Sequence, residues 1–461
     1  MDKLLFHLIA SACASRAPTG TSALLGALRM ASLAVLVGTA TTAFADEAET
    51  WNAKLQSTYI WQHKPALPSP YDGPHSLIAA REDSYSLTAT AAFGLRLARH
   101  TELYFDPEMA QGVPLSGLQG LAGFTNGEMA RSSGSRPVFY RARLFARQTF
   151  DLGDEHETVE SAVNQLGGDV AKRRLVLSAG FVPVMDIFDV NTYAHDARSQ
   201  FLNWSFMTYT AYDYAADARG YTWGATAEYF DDGWAARIGR FAQPKDPNGL
   251  PLDTHIGEHY GDQVEIERHY NAGDGLPGVV RILAYRNRAV MSRYSDALAM
   301  AAQSGQAPDL NLVRTSAHIK MGIGVNVEQE FAPDLGGFAR AMWADGRTET
   351  YAFTESDRSL SAGAVLSGQR WHREKDSVGF ALAENLQSSA HRQLLSDGGQ
   401  TFFLGDGRLH YGPERIMEAY YLFAPIRGVA LTFDYQRICS PGYNQDRGPA
   451  SFYAIRLHVE H

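Results

Sequence analysis

The chain has 461 residues, 45% hydrophobic and 20% charged, which excludes a disordered chain. A formal net charge of −10 argues against a general nucleic-acid binder. With 42 Gly, 23 Phe and 22 Tyr and little sustained helical pattern, the composition favours an all-β chain.

The first element reads as an export leader. Met30 to Ala45 is MASLAVLVGTATTAFA, preceded by Arg29, and Ala43-Phe44-Ala45 has the A-x-A form of a cleavage site. Residues 1–45 are therefore expected to be a removed signal peptide and residues 46–461 the mature domain, with Met30 an alternative start that would lose Arg29. The apolar run is too short to span a membrane comfortably as a helix, and no later run reaches eighteen apolar residues. Cleavage would remove Asp2 against Lys3, Arg16 and Arg29, leaving the chain more acidic still. It would also remove Cys13, so Cys439 alone remains and cannot form an intramolecular disulfide. An exported chain without such staples needs a large folded body.

From Trp51 onward one pattern recurs: segments of about ten residues alternate apolar and polar positions, as half-exposed strands do. Ser84–Leu97 sets Tyr85, Leu87, Ala89, Ala91, Phe93, Leu95 and Leu97 against Ser86, Thr88, Thr90, Gly94 and Arg96. ELYFDPE turns Glu102, Tyr104, Asp106 and Glu108 to one side. RPVFYRARLFARQTF, Arg136–Phe150, puts Arg141, Arg143 and Arg147 on one face and Tyr140, Ala142, Leu144 and Ala146 on the other. Tyr221–Phe230, Lys320–Phe331, Arg415–Phe423 and Gly428–Gln436 repeat the alternation. The last strand sets Tyr453, Ile455, Leu457, Val459 and His461 on one face. About sixteen such segments follow one another, joined by short links such as Asp231–Gly233 and long ones near 111–136 and 190–219. No linker divides them, so a single domain is expected.

Alternation does not say which face is wet. A soluble sandwich buries its apolar face, whereas a membrane barrel turns it to lipid and lines its lumen with the polar face. The leader, the lack of disulfides and the rows of mixed charge favour a transmembrane antiparallel β-barrel. If the two charged strands pair, Arg141, Arg143 and Arg147 stand beside Glu102, Asp106 and Glu108, with Tyr104 between. Such rows present hydrogen-bond donors and acceptors to a passing solute, or they neutralise one another and stiffen the wall.

Between strands, HDARSQFLNWSFMTYTAYDYAADARG is long and aromatic. It reads either as a loop folded into the pore or as an extracellular cap. As a constriction it would offer Asp196, Arg198, Asn203, Trp204, Tyr212, Asp213, Asp217 and Arg219. Gly112–Glu128 is a second insert. Trp51, Tyr59, Trp61, Trp223, Tyr229, Trp234 and Tyr421 lie near strand ends and read as an interfacial girdle. His255–His259, HIGEH, fits H-x-x-E-H, but Gly257 interrupts the helical turn that a zinc site needs. No nucleophile elbow, Walker loop or cysteine cluster occurs. No enzyme, metal or cofactor is expected.

Several blocks taken in order resemble the carbohydrate-selective porin family, OprB type, of Gram-negative outer membranes. They are SPYDGPHSL (Ser69–Leu77), ELYFDPEMAQGVPLSGLQGLAGFTNGE (Glu102–Glu128), YRARLFARQTF (Tyr140–Phe150), NQLGGDVAKRRLVLSAGFVPVMDIFD (Asn164–Asp189), the segment Tyr193–Gly224, and DGRTETYAFTESDRSLSAG (Asp345–Gly363). The resemblance implies a sixteen-stranded barrel in the outer membrane and passive diffusion of mono- and small oligosaccharides. Implied partners are small sugars, outer-membrane lipid and lipopolysaccharide, and the barrel-assembly machinery, with no nucleic acid. The oligomeric state stays open between monomer and trimer. One departure is His461, where such barrels usually end in an aromatic. Two other readings stand beside it. An outer-membrane barrel enzyme would need a nucleophile–base set at the rim. A soluble secreted glycan-binding β protein would show polar residues outward.

Overall fold

The computed structural model describes residues 48–131, 134–273 and 275–461. The expected leader lies outside them.

In chain order the strands are β1 (Trp51–Lys64), β2 (Glu82–Ala98), β3 (Thr101–Val113), β4 (Gly134–Asp151), β5 (His156–Val159), β6 (Gly168–Ala171), β7 (Arg174–Val182), β8 (Thr222–Asp231) and β9 (Trp234–Ala242). They continue with β10 (Tyr260–Ala272), β11 (Leu276–Val290), β12 (Ala317–Ala332), β13 (Leu335–Ala344), β14 (Arg358–Ser367), β15 (Ser377–Leu386), β16 (Glu414–Ile426), β17 (Val429–Cys439) and β18 (Ala450–Glu460). Among the described residues, sixteen strands close into one antiparallel barrel, and β5 and β6 form a separate hairpin. Closure joins first to last: Gln56 on β1 faces Glu460 on β18, and the backbones of Leu55 and His461 exchange both hydrogen bonds. A closed sheet leaves no backbone edge unpaired, which hydrocarbon demands.

Burial runs opposite to that of a soluble protein. On β12, Ile319, Met321, Ile323 and Val325 are exposed, while Lys320 and Asn326 are wholly buried. On β10, Val264 and Ile266 are half exposed, against buried Gln263, Glu265 and Glu267. The apolar face is outside and the charged face inside, so the soluble alternative is set aside. Trp51 and Trp234 stand outward at the end of the barrel with short links. Trp223 stands outward at the other end, where girdle aromatics belong.

Most of the long links gather at one end, and that between β7 and β8 folds inward. Residues 183–221 run through the interior, carrying the four-residue helix α1 (Trp204–Met207), all of whose side chains are buried. The wall thins to admit them: a Cβ on Gly324 would lie 2.9 Å from the Tyr209 ring, and one on Gly336 would lie 2.0 Å from the Tyr193 ring. Glycine is used here for close approach.

One break in register changes the reading of the arginine strand. Asp106 on β3 pairs with Arg143 on β4, but its neighbour Pro107 pairs with Arg141, so Ala142 is an extra residue. Proline cannot donate to the ladder, and a bulge forms opposite it. The bulge reverses the alternation. Arg143 and Arg147 stay inside with Tyr140, whereas Arg141 emerges on the outer surface, its guanidinium 4.4 Å from the Phe181 ring centre and 4.9 Å from that of Trp223.

A cation placed on the outer belt tests this orientation. Ile323→Arg should cost on the order of 2–4 kcal/mol if it lies near the bilayer midplane. Reversible unfolding from vesicles, read by heat-modifiable gel mobility, should show the loss. Lys320, three positions away and inward, should tolerate replacement by Arg far better.

Candidate functional site

The inward side chains of β3 meet those of β4 in ion pairs and hydrogen bonds. Arg143 lies between two carboxylates: Nε and Nη2 reach Asp186 at 2.5 and 2.8 Å, and Nη1 reaches Asp106 at 3.2 Å. Toward the short-link end, Arg147 sits over the Tyr104 ring at 5.0 Å and 3.9 Å from Glu102, which also pairs with Arg96 at 3.0 Å. The Tyr104 hydroxyl donates to Glu102 at 2.6 Å. Toward the long-link end, Glu108 is buried and collects donors. Thr90 and Tyr221 donate at 2.6 and 3.0 Å and Tyr140 donates as well, while Arg198 and Arg131 lie at 3.2 and 3.5 Å.

Loop 183–221 is bound by the walls around it. The backbone N–H groups of Asp189, Thr192, Leu202 and Asn203 donate to Glu265, Glu328 and Glu418. Arg340 donates to the carbonyls of Phe206 and Ala194, both at 2.7 Å, and pairs with Asp189 at 3.0 Å. Arg456 donates to the carbonyls of Ala197 and Gln200 at 2.6 and 2.8 Å. These backbone groups thereby find partners that water would otherwise supply.

The expected constriction residues divide into two groups. Arg198 bridges Glu108 and Glu128, each at 3.2 Å, and Arg219 lies 4.6 Å over the Tyr140 ring, so both reach the charged cluster. The others hold the loop. Asp196 accepts from the Arg198 backbone, and Asn203 caps α1 while donating to Gln436 at 2.9 Å. Trp204 stacks on Phe353 at 5.0 Å, and the Tyr212 hydroxyl donates to Gln263. Asp213 pairs with Lys320 at 3.1 Å and accepts from the backbones of Tyr351 and Ala352, and Asp217 accepts from those of Arg219 and Tyr221.

Arg141 departs from the expected ladder, because the bulge at Ala142 carries it outside. Other interior groups were not singled out from sequence. Across β8 to β12 runs a ladder: Arg237 bonds Glu228, Glu265 and Glu267 at 3.2, 3.1 and 3.0 Å, and Arg281 bonds Glu267 and Glu328 at 2.7 and 2.9 Å. The alternation of Val264 and Ile266 with Glu265 and Glu267 could have revealed it. Asp186, in a short turn after β7, carries no such signal.

HIGEH lies in the link before β10. His255 and His259 both turn Nδ1 to Asp253, at 2.8 and 2.7 Å. Burial pushes the Asp253 carboxyl up, but the His255 backbone N–H and the two imidazoles outweigh it and hold it at about 2. The histidines are thus committed to a carboxylate. Among the described residues, no group of three or more His, Cys, Asp or Glu is placed to hold a metal.

Residues 85–460 match the carbohydrate-selective porin, OprB family. The chain belongs to that family. Its fold is that of an outer-membrane porin: the high-pH structure of Pseudomonas putida OprB aligns with a TM-score of 0.66 at 16% identity, covering 89% of this chain and 94% of that one. The outer membrane channel DcaP of Acinetobacter baumannii aligns with a TM-score of 0.49 at 8% identity, covering 91% and 100%. No curated protein matches the chain.

In this porin the Arg340 contacts predict a specific weakness. Arg340→Met would leave the Asp189 carboxylate without its cation, though still bonded by Thr208 and Asn326, and would take the Arg340 donor from the carbonyls of Phe206 and Ala194, at a cost of about 3–5 kcal/mol. The temperature at which the folded band is lost on gels should fall. An unchanged midpoint would mean that the loop is held without this residue.

Proposed function

We propose that the porin admits neutral sugars, mono- and small oligosaccharides, by passive diffusion through a narrow passage beside loop 183–221. The carrying observation is where lumenal charge remains reachable. Arg340, Arg456, Glu265 and Glu418 are spent on loop backbone and are almost wholly buried. In the β3–β4–β7 sector, by contrast, the Asp186 side chain is 35% exposed and that of Arg147 27%. This sector is therefore assigned as the pore lining.

The mechanism needs no covalent step. Guanidinium forks offer paired N–H donors, and the carboxylates beside them accept. A sugar hydroxyl is both donor and acceptor, so it can exchange water for Arg143 or Arg147 on one side and Asp186 or Glu102 on the other. Each cation stands beside an anion, which leaves little net sign to draw ions. Weak, successive contacts let a solute leave as readily as it arrives. Flux then follows the concentration gradient.

Liposome swelling with sugars of graded size tests the proposal. Wild-type protein should pass monosaccharides faster than disaccharides. Arg143→Gln with Arg147→Gln should change that ratio several-fold while the barrel still folds. Arg141→Gln, on the outer surface, should leave it unchanged. Absence of sugar flux in the wild type would end the reading, and an unchanged ratio in the double variant would reduce the arginines to wall braces.

A further inference from the structure

Links at the end opposite the loops are mostly tight turns, but residues 152–173, between β4 and β7, are long. Part of this link is the exposed β5–β6 hairpin. The stretch 160–167 between those two strands turns back into the barrel mouth. Leu166 is buried in the same cluster as Ile60, Tyr104 and Phe145, and its backbone N–H donates to the Tyr104 hydroxyl at 3.2 Å.

Clips fasten this arm to the wall. Glu49 accepts from Ser161 and from the Gly167 backbone at 3.0 and 2.7 Å, and Asn52 donates to the Gln165 carbonyl at 3.0 Å. The tip is Asn164, in the left-handed region at φ 58°, a conformation that asparagine tolerates better than most residues. Arg147 donates to its carbonyl at 3.0 Å, and its amide donates to Asp106 at 2.9 Å. Asp106 is the carboxylate that also holds Arg143. The tip therefore touches both arginines' environment from the side opposite the loops.

Two acceptors at this contact, Asp106 Oδ1 and Asn164 Oδ1, are buried without a donor. Buried acceptors of this kind call for one. We infer that the arm 160–167 is a second, inner constriction, and that Asn164, Asp106 and Arg147 form a subsite for a hydroxyl of a neutral polyol. The hydroxyl donates to one of the orphaned oxygens and accepts from Arg147. A solute that clears the Arg143–Asp186 pair then meets a second hydrogen-bonding step before leaving. The inference rests on the porin reading, and it adds a specificity element on the opposite face of the membrane from the long loops.

Two variants test it. In the first, residues 155–171 are replaced by an Asn-Gly turn, which removes the arm. In the second, Asn164→Gly keeps the backbone conformation and deletes only the amide. Each is checked for heat-modifiable mobility, then measured for single-channel conductance, for block of the ion current by glucose, and for swelling with glucose and maltose. Arm removal should raise conductance about two-fold or more and raise maltose relative to glucose. Asn164→Gly should change conductance little but weaken glucose block several-fold. If both variants match wild type in conductance, block and sugar ratio while glucose still passes, the arm lies off the path and the inference is overturned, with the porin reading intact. If no protein in the series passes glucose, the porin reading itself falls.

Discussion

An irregular stretch of backbone inside a membrane barrel must find a partner for every polar group, and that demand shapes this molecule. Loop 183–221 brings its amides and carbonyls into a space that water can barely reach. The wall answers with Glu265, Glu328 and Glu418 for the N–H groups and Arg340 and Arg456 for the carbonyls. Asp213 reverses the direction, as a loop carboxylate accepting from the link that carries Tyr351 and Ala352. Buried ion pairs of this sort yield little net stability, because desolvation consumes most of the Coulomb gain. Their effect is to fix where the loop lies.

Once the loop is fixed, so is the space it leaves. The walls from β10 to β18 are largely occupied in holding it. The sector of β3 and β4 pairs its charges within the wall, as in Arg147 with Glu102, and with the near side of the loop, as in Arg143 with Asp186 and Glu108 with Arg198. Those pairs bring opposite charges close together, at 2.5 Å for Arg143 with Asp186 and 3.9 Å for Arg147 with Glu102. Under the proposed function, a polyhydroxylated neutral solute replaces water at both members of a pair. The aromatic and aliphatic exterior, from Ile319 to Val325 and from Trp51 to Trp234, has no part in this selection and serves only to seat the barrel in lipid.

Much of the fold was legible in the sequence, because period-two alternation is a local signal. The sixteen strands follow from it, while the outward apolar face also needed the leader, the lack of disulfides and the rows of mixed charge. The site was less legible, because its geometry depends on which strand lies beside which. Pro107 is visible in the sequence, but its effect on Arg141 appears only once β3 pairs with β4 and the ladder must skip Ala142. The polar residues of the long loop could be seen, yet most prove to be holders rather than lining. That division depends on contacts with Glu418, Gln436 and Lys320, each more than a hundred residues away. The arm at Asn164 went unread because its link sits at the end where short turns are the rule. At HIGEH, where Gly257 already speaks against a zinc turn, Asp253, two residues before it, takes both rings.

The central claim is that the wall holds loop 183–221 inside the barrel and so defines the passage. The most direct measurement is unitary conductance in planar bilayers for the intact protein and for one whose residues 189–214 are replaced by a short Gly-Ser link. The account predicts a several-fold rise in conductance, with passage of solutes too large for the intact channel. A folded loop-free barrel with the same conductance and the same size limit would contradict it.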